Sequence, residues 1–245
     1  PAGVTLTDMV IEALRPADPM VSYSAVDINI HDSAVNPNDG RLYILLDDDL
    51  LHLDARSQKP IVDIETGIMG RSLAIDSDTG TLLIGTEDGS VLSRSLFDSS
   101  EMPNLREPTG LQNAGIYSIS VDDYGTVWAA GNCSIHFKPI GEEVWSEYDY
   151  CPTINIETPS DMMIIGDSVY LATTNAGVHI LNYITSSSSG SVSVSVDSQT
   201  DWSTQNFLSS NQITDLEIVG NQLLIATADS GINRRDLTAQ SWIAT

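Results

Sequence analysis

The sequence predicts an all-β fold, a β-propeller of four-stranded antiparallel blades, and three observations predict it. One unit recurs five times, anchored on Leu42, Leu82, Val127, Val169 and Leu223 at intervals of 40, 45, 42 and 54 residues. Each copy holds two short apolar runs joined by small or acidic residues, which is the pattern of a β-hairpin, with a strand-like run on either side. The one long interval is explained by an insertion that leaves its unit in register. A four-stranded unit of this length cannot bury both of its faces alone, so the repeats must stack around a ring.

The hairpins are "GRLYILLDDDLLHLD" (40–54), "GTLLIGTEDGSVLSR" (80–94), "GTVWAAGNCSIHFK" (125–138), "GDSVYLATTNAGVHIL" (166–181) and "GNQLLIATADSGINRR" (220–235). Their connections are Asp47-Asp48-Asp49, Glu87-Asp88-Gly89, Asn132-Cys133-Ser134, Asn175-Ala176-Gly177 and Asp229-Ser230-Gly231. Asp, Asn and Gly tolerate turn dihedrals and bond to nearby backbone. The three aspartates therefore read as a turn. As a metal site they are poorly placed, because consecutive side chains of an extended chain point to opposite faces. A strand precedes the hairpin in "SLAID" (72–76), "SISVD" (118–122) and "ITDLEIV" (213–219). A fourth run follows in "PIVDIE" (60–65), "EVWSEYD" (143–149), "TDWSTQ" (200–205) and "SWIAT" (241–245). Ile61, Trp145 and Trp242 each lie ten positions after Leu51, Ile135 and Ile232. The second unit departs from this and offers only "SSEMPNLREP".

Trp202 lies 24 positions after Val178 instead of ten, an excess of 14 that matches the excess of the long interval over 40. Both counts place an insertion between the third and fourth strands of the fourth unit, in "ITSSSSGSVSVSVDSQT" (184–200). Val192, Val194 and Val196 alternate with serine, the period of a strand. The segment reads as a hairpin extended beyond the blade, with a disordered serine linker as the other reading. Two regions result: an N-terminal segment, 1–26, and a propeller domain, 27–245. Within the first, "MVSYSAV" (20–26) stands ahead of the first unit as 60–66 stand ahead of the second, like a fourth strand. It would either close the ring by completing the last blade or belong to a partial sixth blade.

The stretch "WSTQNFLSSNQITDLEIVGNQLLIATADSGINRRD" (202–236) resembles the two-component regulator propeller repeat: a tryptophan, a leucine-turn segment, an isoleucine-led strand, an "LWIGT..G"-like strand and a charged strand. The fourth and fifth units match well and the second partly. The first looks as much like a quinoprotein or lactonase-type repeat. The resemblance spans roughly residues 27–245. It implies an extracellular sensing region, and because such arrays have more than five blades it leaves open whether the ring continues in a longer chain.

The chain carries 34 acidic residues against 10 basic ones, for a net charge of −24, and Lys59 and Lys138 are its only lysines. That charge repels phosphate backbones and anionic lipid, which excludes nucleic-acid and membrane-surface roles. No apolar run approaches the ~20 residues that span a bilayer. The start, "PAGVTLTDMVIEAL", lacks the basic end and apolar stretch of a signal peptide, so the chain is either cytosolic or already processed.

Cys133 opens the third strand of unit three and Cys151 closes its fourth, so an antiparallel hairpin with its turn at 141–143 sets them opposite each other. Opposed Cβ atoms lie about 4.5–5.5 Å apart, close to disulfide reach. A disulfide, and with it an oxidising compartment, extracellular or periplasmic, is expected. His52, His136 and His179 share one repeat position, but equivalent third-strand positions are spread around a ring. They are too far apart to share an ion at distances of about 2.0–2.1 Å. No nucleophile elbow, phosphate-cradling glycine loop or HExxH is present, and the arginines are scattered.

What remains is one side of the ring, where turns between second and third strands meet the inter-blade loops. It carries Asp47, Asp48, Asp49, Glu87, Asp88 and Asp229, with Asn113, Asn155, Asn206 and Asn211 in the loops. The reading is a non-catalytic extracellular recognition or sensor module that binds a protein partner or a carbohydrate-like ligand there. It needs no cofactor. The alternative is a calcium-dependent hydrolase of the lactonase type, with the ion held near the axis by acids entering the first strands. Asp32, Asp161 and Asp215 occupy such positions, but the other two units offer Ser72 and Ser118.

Overall fold

The computed structural model describes residues 29–46, 49–53, 60–65, 69–96, 105–109, 115–151, 157–188 and 191–243. Among these, twenty strands form five four-stranded antiparallel sheets, each with its strands in chain order. Blade 1 is β1 (Asp32–Val35), β2 (Leu42–Leu45), β3 (Asp49–Leu53) and β4 (Pro60–Glu65). Blade 2 is β5 (Gly70–Asp76), β6 (Thr81–Thr86), β7 (Ser90–Ser95) and β8 (Leu105–Pro108). Blade 3 is β9 (Ser118–Val121), β10 (Val127–Ala130), β11 (Ser134–Lys138) and β12 (Ser146–Asp149). Blade 4 is β13 (Pro159–Ile165), β14 (Ser168–Thr173), β15 (Val178–Ser188) and β16 (Ser191–Trp202). Blade 5 is β17 (Ile213–Val219), β18 (Gln222–Thr227), β19 (Gly231–Asp236) and β20 (Ser241–Ile243). The fold is the β-propeller expected, and β8 supplies the weak fourth strand of unit two. Residues 1–26, with the strand expected at 20–26, lie outside the described residues.

The second strands read as continuous apolar runs because both of their faces are covered. In β14, Val169 and Leu171 pack toward blade 3, where they meet Trp128, Ile135 and Phe137. Tyr170 and Ala172, one residue out of phase, pack toward blade 5 against Leu223 and Ile225. Tyr43, Leu45 and Leu50 meet Leu82, Ile84 and Leu92 between blades 1 and 2. Leu83 and Val91 meet Ile119 and Ala129 between blades 2 and 3. Tyr43, Trp128 and Tyr170, the aromatics at matching repeat positions, are all such inter-blade packing. Trp128 is fully buried and lies 4.8 Å from the rings of both Phe137 and Tyr183. Each such pair contributes about 0.5–1.5 kcal/mol beyond area burial.

The connections after the second strands need a left-handed residue, which Gly89, Gly177 and Gly231 provide with φ of 78°, 99° and 80°. At Gly177 a Cβ would sit 2.1 Å from the Trp202 carbonyl oxygen, so glycine is also required by space. In blade 1, Asp49 is the first residue of β3 and pairs with Glu65, so it belongs to the strand and not to the turn. The turn of this blade is one residue shorter than that of blade 2. Leu50, not Leu51, therefore opposes Leu45, as Ile135 opposes Ala130 and Val178 opposes Ala172. That shift corrects the alignment of the histidines. His52 pairs with Tyr43 on the face toward the next blade, whereas His136 and His179 pair with Ala129 and Leu171 on faces toward the preceding one.

Cys133 and Cys151 form a disulfide with Cα atoms 4.9 Å apart. They are not directly opposed, however: Ser134 pairs with Asp149, and Tyr150 N–H donates to the Cys133 carbonyl. The bond is diagonal, and Cys133 reaches it from a left-handed conformation with φ of 65°. The insertion is a hairpin. β15 and β16 run paired to Ser188 and Ser191, with a bulge after Asn182. Its base is not peripheral, because Val194 and Val196 pack against the cluster between blades 3 and 4.

Candidate functional site

The innermost strands stack in series: β1 on β5, β5 on β9, β9 on β13 and β13 on β17. Three of them are bulged just before the position proposed for an axial ion, between Gly70 and Ser72, Pro159 and Asp161, and Ile213 and Asp215. A bulge re-aims the side chain that follows it. In β5 and β13 the side chain that follows the bulge bonds to the next blade or to the loop that enters it. Asp161 accepts the Leu216 N–H of β17 at 2.9 Å on one oxygen and its own neighbour Met162 N–H at 2.7 Å on the other. Asp32, in unbulged β1, does the same with Leu73 of β5 and with Ser33, both at 2.7 Å. Ser72 donates to the Ile116 carbonyl on the next blade.

Burial pushes the Asp161 carboxyl up to about 6, against the two backbone hydrogen bonds; the charges of Asp215 and Asp32 add to the rise. Burial likewise raises Asp32, with Asp215 contributing. The three acids are thus near enough to repel one another, and two of them are inter-blade ties. Among the described residues, no three His, Cys, Asp or Glu side chains are grouped to hold a metal ion.

The turn-bearing side is assembled by bonds from the inter-blade loops to the turns. Thr109 N–H donates to Gly89 O, Ile116 N–H to Thr86 O and Gly177 N–H to Asn211 O. Most of the described polar candidates there hold loops in shape. Asp88 accepts from the Thr86 hydroxyl and the Ser90 N–H. Asn206 accepts Ser203 N–H and donates to Asp201 O, and Asn211 accepts Thr204 N–H. The hydroxyls of Ser210 and Ser230 hold the exposed Asp229 carboxyl below its ordinary range. Asp47, Asp48, Asn113 and Asn155 lie outside the described residues, as does the side chain of Asp49.

Glu87 is different. It pairs with Arg71, whose guanidinium lies 4.9 Å from the centre of the Tyr117 ring. Also in the loops, Met69 is 41% exposed and Phe207 50% exposed, the latter stacked on Trp242. Sequence reasoning missed Arg71, Met69, Tyr117 and Phe207, and the only signal available was that Gly70 and Arg71 break the strand pattern where the bulge falls.

The two histidines of blades 3 and 4 tie their blades to the inter-blade loops that precede them. His136 Nδ1–H donates to the Thr109 carbonyl at 2.9 Å. His179 is buried with Asp201 at 2.6 Å from Nδ1 and the buried Glu157 against Nε2. The arrangement is no catalytic triad: the position of a nucleophile is filled by Glu157, and the nearby Tyr150 hydroxyl donates to the Gly131 carbonyl. On the opposite side of the ring, a cleft of about 140 Å³ is lined by Asp76, Asp78, Asp122 and Asp123. Asp76 and Asp122 there accept backbone N–H groups of their own turns.

No family model matches the chain, and no characterised relative matches it by sequence. Among the described residues no helix is long and apolar enough to cross a membrane. Solved structures do match. The WD40 β-propeller domain of Doa1 superposes with a TM-score of 0.64 at 13% identity, over 90% of this chain and 69% of that one. A structure of the Nidogen/Laminin complex gives 0.61 at 13% identity, over 88% and 78%. One of the mitotic checkpoint complex gives 0.60 at 11% identity, over 94% and 73%. At these identities the likeness establishes the fold alone, and that fold is a β-propeller.

Proposed function

We propose that this chain is a non-catalytic recognition module that takes a protein partner on its turn-bearing side. The observation that carries the reading is the group of Arg71, Tyr117 and Glu87, together with exposed Met69 and Phe207 in the loops of that side. Arginine and aromatic side chains, held in place before a partner arrives, are the residues that dominate binding energy at interfaces. Two of the similar structures are of complexes, which supports a protein as the partner; a carbohydrate-like ligand is the narrower alternative from the acidic loops. The disulfide between Cys133 and Cys151 supports an extracellular or periplasmic setting. A sensing role of the two-component regulator type is consistent with the same features.

The test is affinity against a partner identified by cross-linking. Arg71→Ala with Phe207→Ala should weaken binding on the order of 100-fold or more, since each anchor contributes about 2 kcal/mol and about 1.4 kcal/mol is tenfold. Unchanged affinity would sink the reading. Calcium calorimetry and a lactone and ester hydrolysis screen address the hydrolase alternative. Stoichiometric calcium binding, with turnover lost in Asp161→Asn, would replace recognition by catalysis.

A further inference from the structure

The outer strand of a blade leaves one row of N–H and C=O groups unpaired, a template on which a further strand can pair. Natural sheets blunt such edges with charge, proline or short length. Four of the five edges here are blunted. β4 holds Pro60 and Asp63, β8 Arg106 and Pro108, β12 Glu147 and Asp149, and β20 is three residues long. The fifth is not. β16 runs for twelve residues, and its first half, 191–196, contains no charge and no proline. β15 pairs with it as far as Ser191, and among the described residues no strand pairs with its other side. Asn206 reaches only the far end, where its Nδ2 donates to the Asp201 carbonyl.

The edge is complementary to itself. "VSVSV" (192–196) reads the same in both directions, so antiparallel pairing of two copies about a two-fold axis at Val194 sets like beside like. Val194 then lies opposite Val194, Ser193 opposite Ser195 and Val192 opposite Val196. A two-fold axis normal to the sheet also keeps each face. Val194 and Val196, packed on the cluster between blades 3 and 4, would extend that apolar face into the second copy. The exposed Ser193 and Ser195 would meet on the solvent face, and β-branched and hydroxyl pairs of this kind stabilise neighbouring strands. The charge pattern favours the same occupant. With a net charge of −24, two copies repel over most of their surface, but 191–196 offers no acid. The register puts Asp197 opposite Ser191, which leaves the two Asp197 carboxylates roughly 20 Å apart along the strands, beyond the ~10 Å over which salt screens them.

We infer that β16 is a dimerisation edge, on which two copies of this chain pair antiparallel about Val194 and join their fourth blades into one continuous sheet. The paired segment lies beyond the Asp167 carbonyl that accepts the Tyr183 N–H, on the side of the ring opposite the turns, so the inference stands apart from the recognition reading. Sedimentation equilibrium of the full chain should give twice the chain mass and no larger species, because a two-fold pairing uses up both edges. Ser193→Asp with Ser195→Asp sets acids directly opposite one another, and Ser193→Lys with Ser195→Lys does so with bases. Both serines are exposed, so the monomer should keep its fold. Each double variant alone should dimerise about tenfold more weakly or worse, and mixing the two should restore a one-to-one dimer. A parent chain that stays monomeric at every concentration overturns the inference, as does a dimer indifferent to both variants or a mixture that does not associate. Should a variant unfold, amide exchange in the parent decides: the amides of 191–196 must slow as protein concentration rises, and exchange independent of concentration overturns the inference.

Discussion

Replacing Asp161 by asparagine should gain stability relative to the parent as pH rises from acid to neutral, and the size of the change follows from the surroundings of the carboxyl. Burial lifts the Asp161 carboxyl from its ordinary 3.8 to about 6 in the fold. The folded state therefore holds this proton more tightly than the unfolded chain does. Between those two values the folded form carries more bound proton, so its stability falls as pH rises. The contribution is fully present below about 3.8 and lost above about 6. At about 1.36 kcal/mol per unit, the swing is roughly 3 kcal/mol. The asparagine side chain is neutral at every pH: its oxygen accepts one of the N–H groups of Leu216 and Met162, and its NH2, itself a donor, leaves the other unpaired at a cost that does not vary with pH. The stability of Asp161→Asn relative to the parent should thus grow by roughly 3 kcal/mol between about pH 4 and about pH 8, read from urea unfolding followed by tryptophan fluorescence. A pH-independent difference, or one that shifts in favour of the parent as pH rises, would refute the reasoning. It would mean that something stabilises the carboxylate, and a cation shared with Asp32 and Asp215 would be the first candidate.

Three further outcomes are expected. Asp122→Ala removes the acceptor of the Tyr124 and Thr126 N–H groups, the Trp128 indole and the Tyr183 hydroxyl of the next blade. At about 1–3 kcal/mol for each buried group left unpaired, the loss should be about 3–5 kcal/mol, and a change under about 1 kcal/mol in denaturant unfolding would contradict it. Removing the disulfide with Cys133→Ala and Cys151→Ala should lower stability by roughly 3 kcal/mol in the chain-entropy model, and Cys133→Gly should soften that loss because its φ is positive. Comparing the two double variants by thermal melting checks both. Replacing Ser186–Ser198 with a two-residue turn should cost about 1–3 kcal/mol through the loss of Val194 and Val196; an unchanged melting temperature would show that their packing contributes nothing.

Strand order and the turn positions were legible from residue types alone. A blade's four strands are neighbours in the chain, so strand period, turn chemistry and a spacing near forty residues suffice to place them. The same local logic paired Cys133 with Cys151, though it missed the left-handed turn that makes the bond diagonal. It failed where one residue decides a face. His52 lies two residues past Leu50, whereas His136 and His179 lie one past the equivalent Ile135 and Val178, and one residue along a strand reverses the face of a side chain. Of the residues named for the candidate site, Asp88, Asn206 and Asn211 brace their own loops, which residue type alone did not reveal. The placing of Arg71 over Tyr117, of Glu157 against His179, and of Asp32 and Asp161 as ties between blades was decided by tertiary structure. Each joins segments that only the stacking of whole sheets brings together. Stacking is governed by the fit of buried faces, which the identity of any one residue does not reveal.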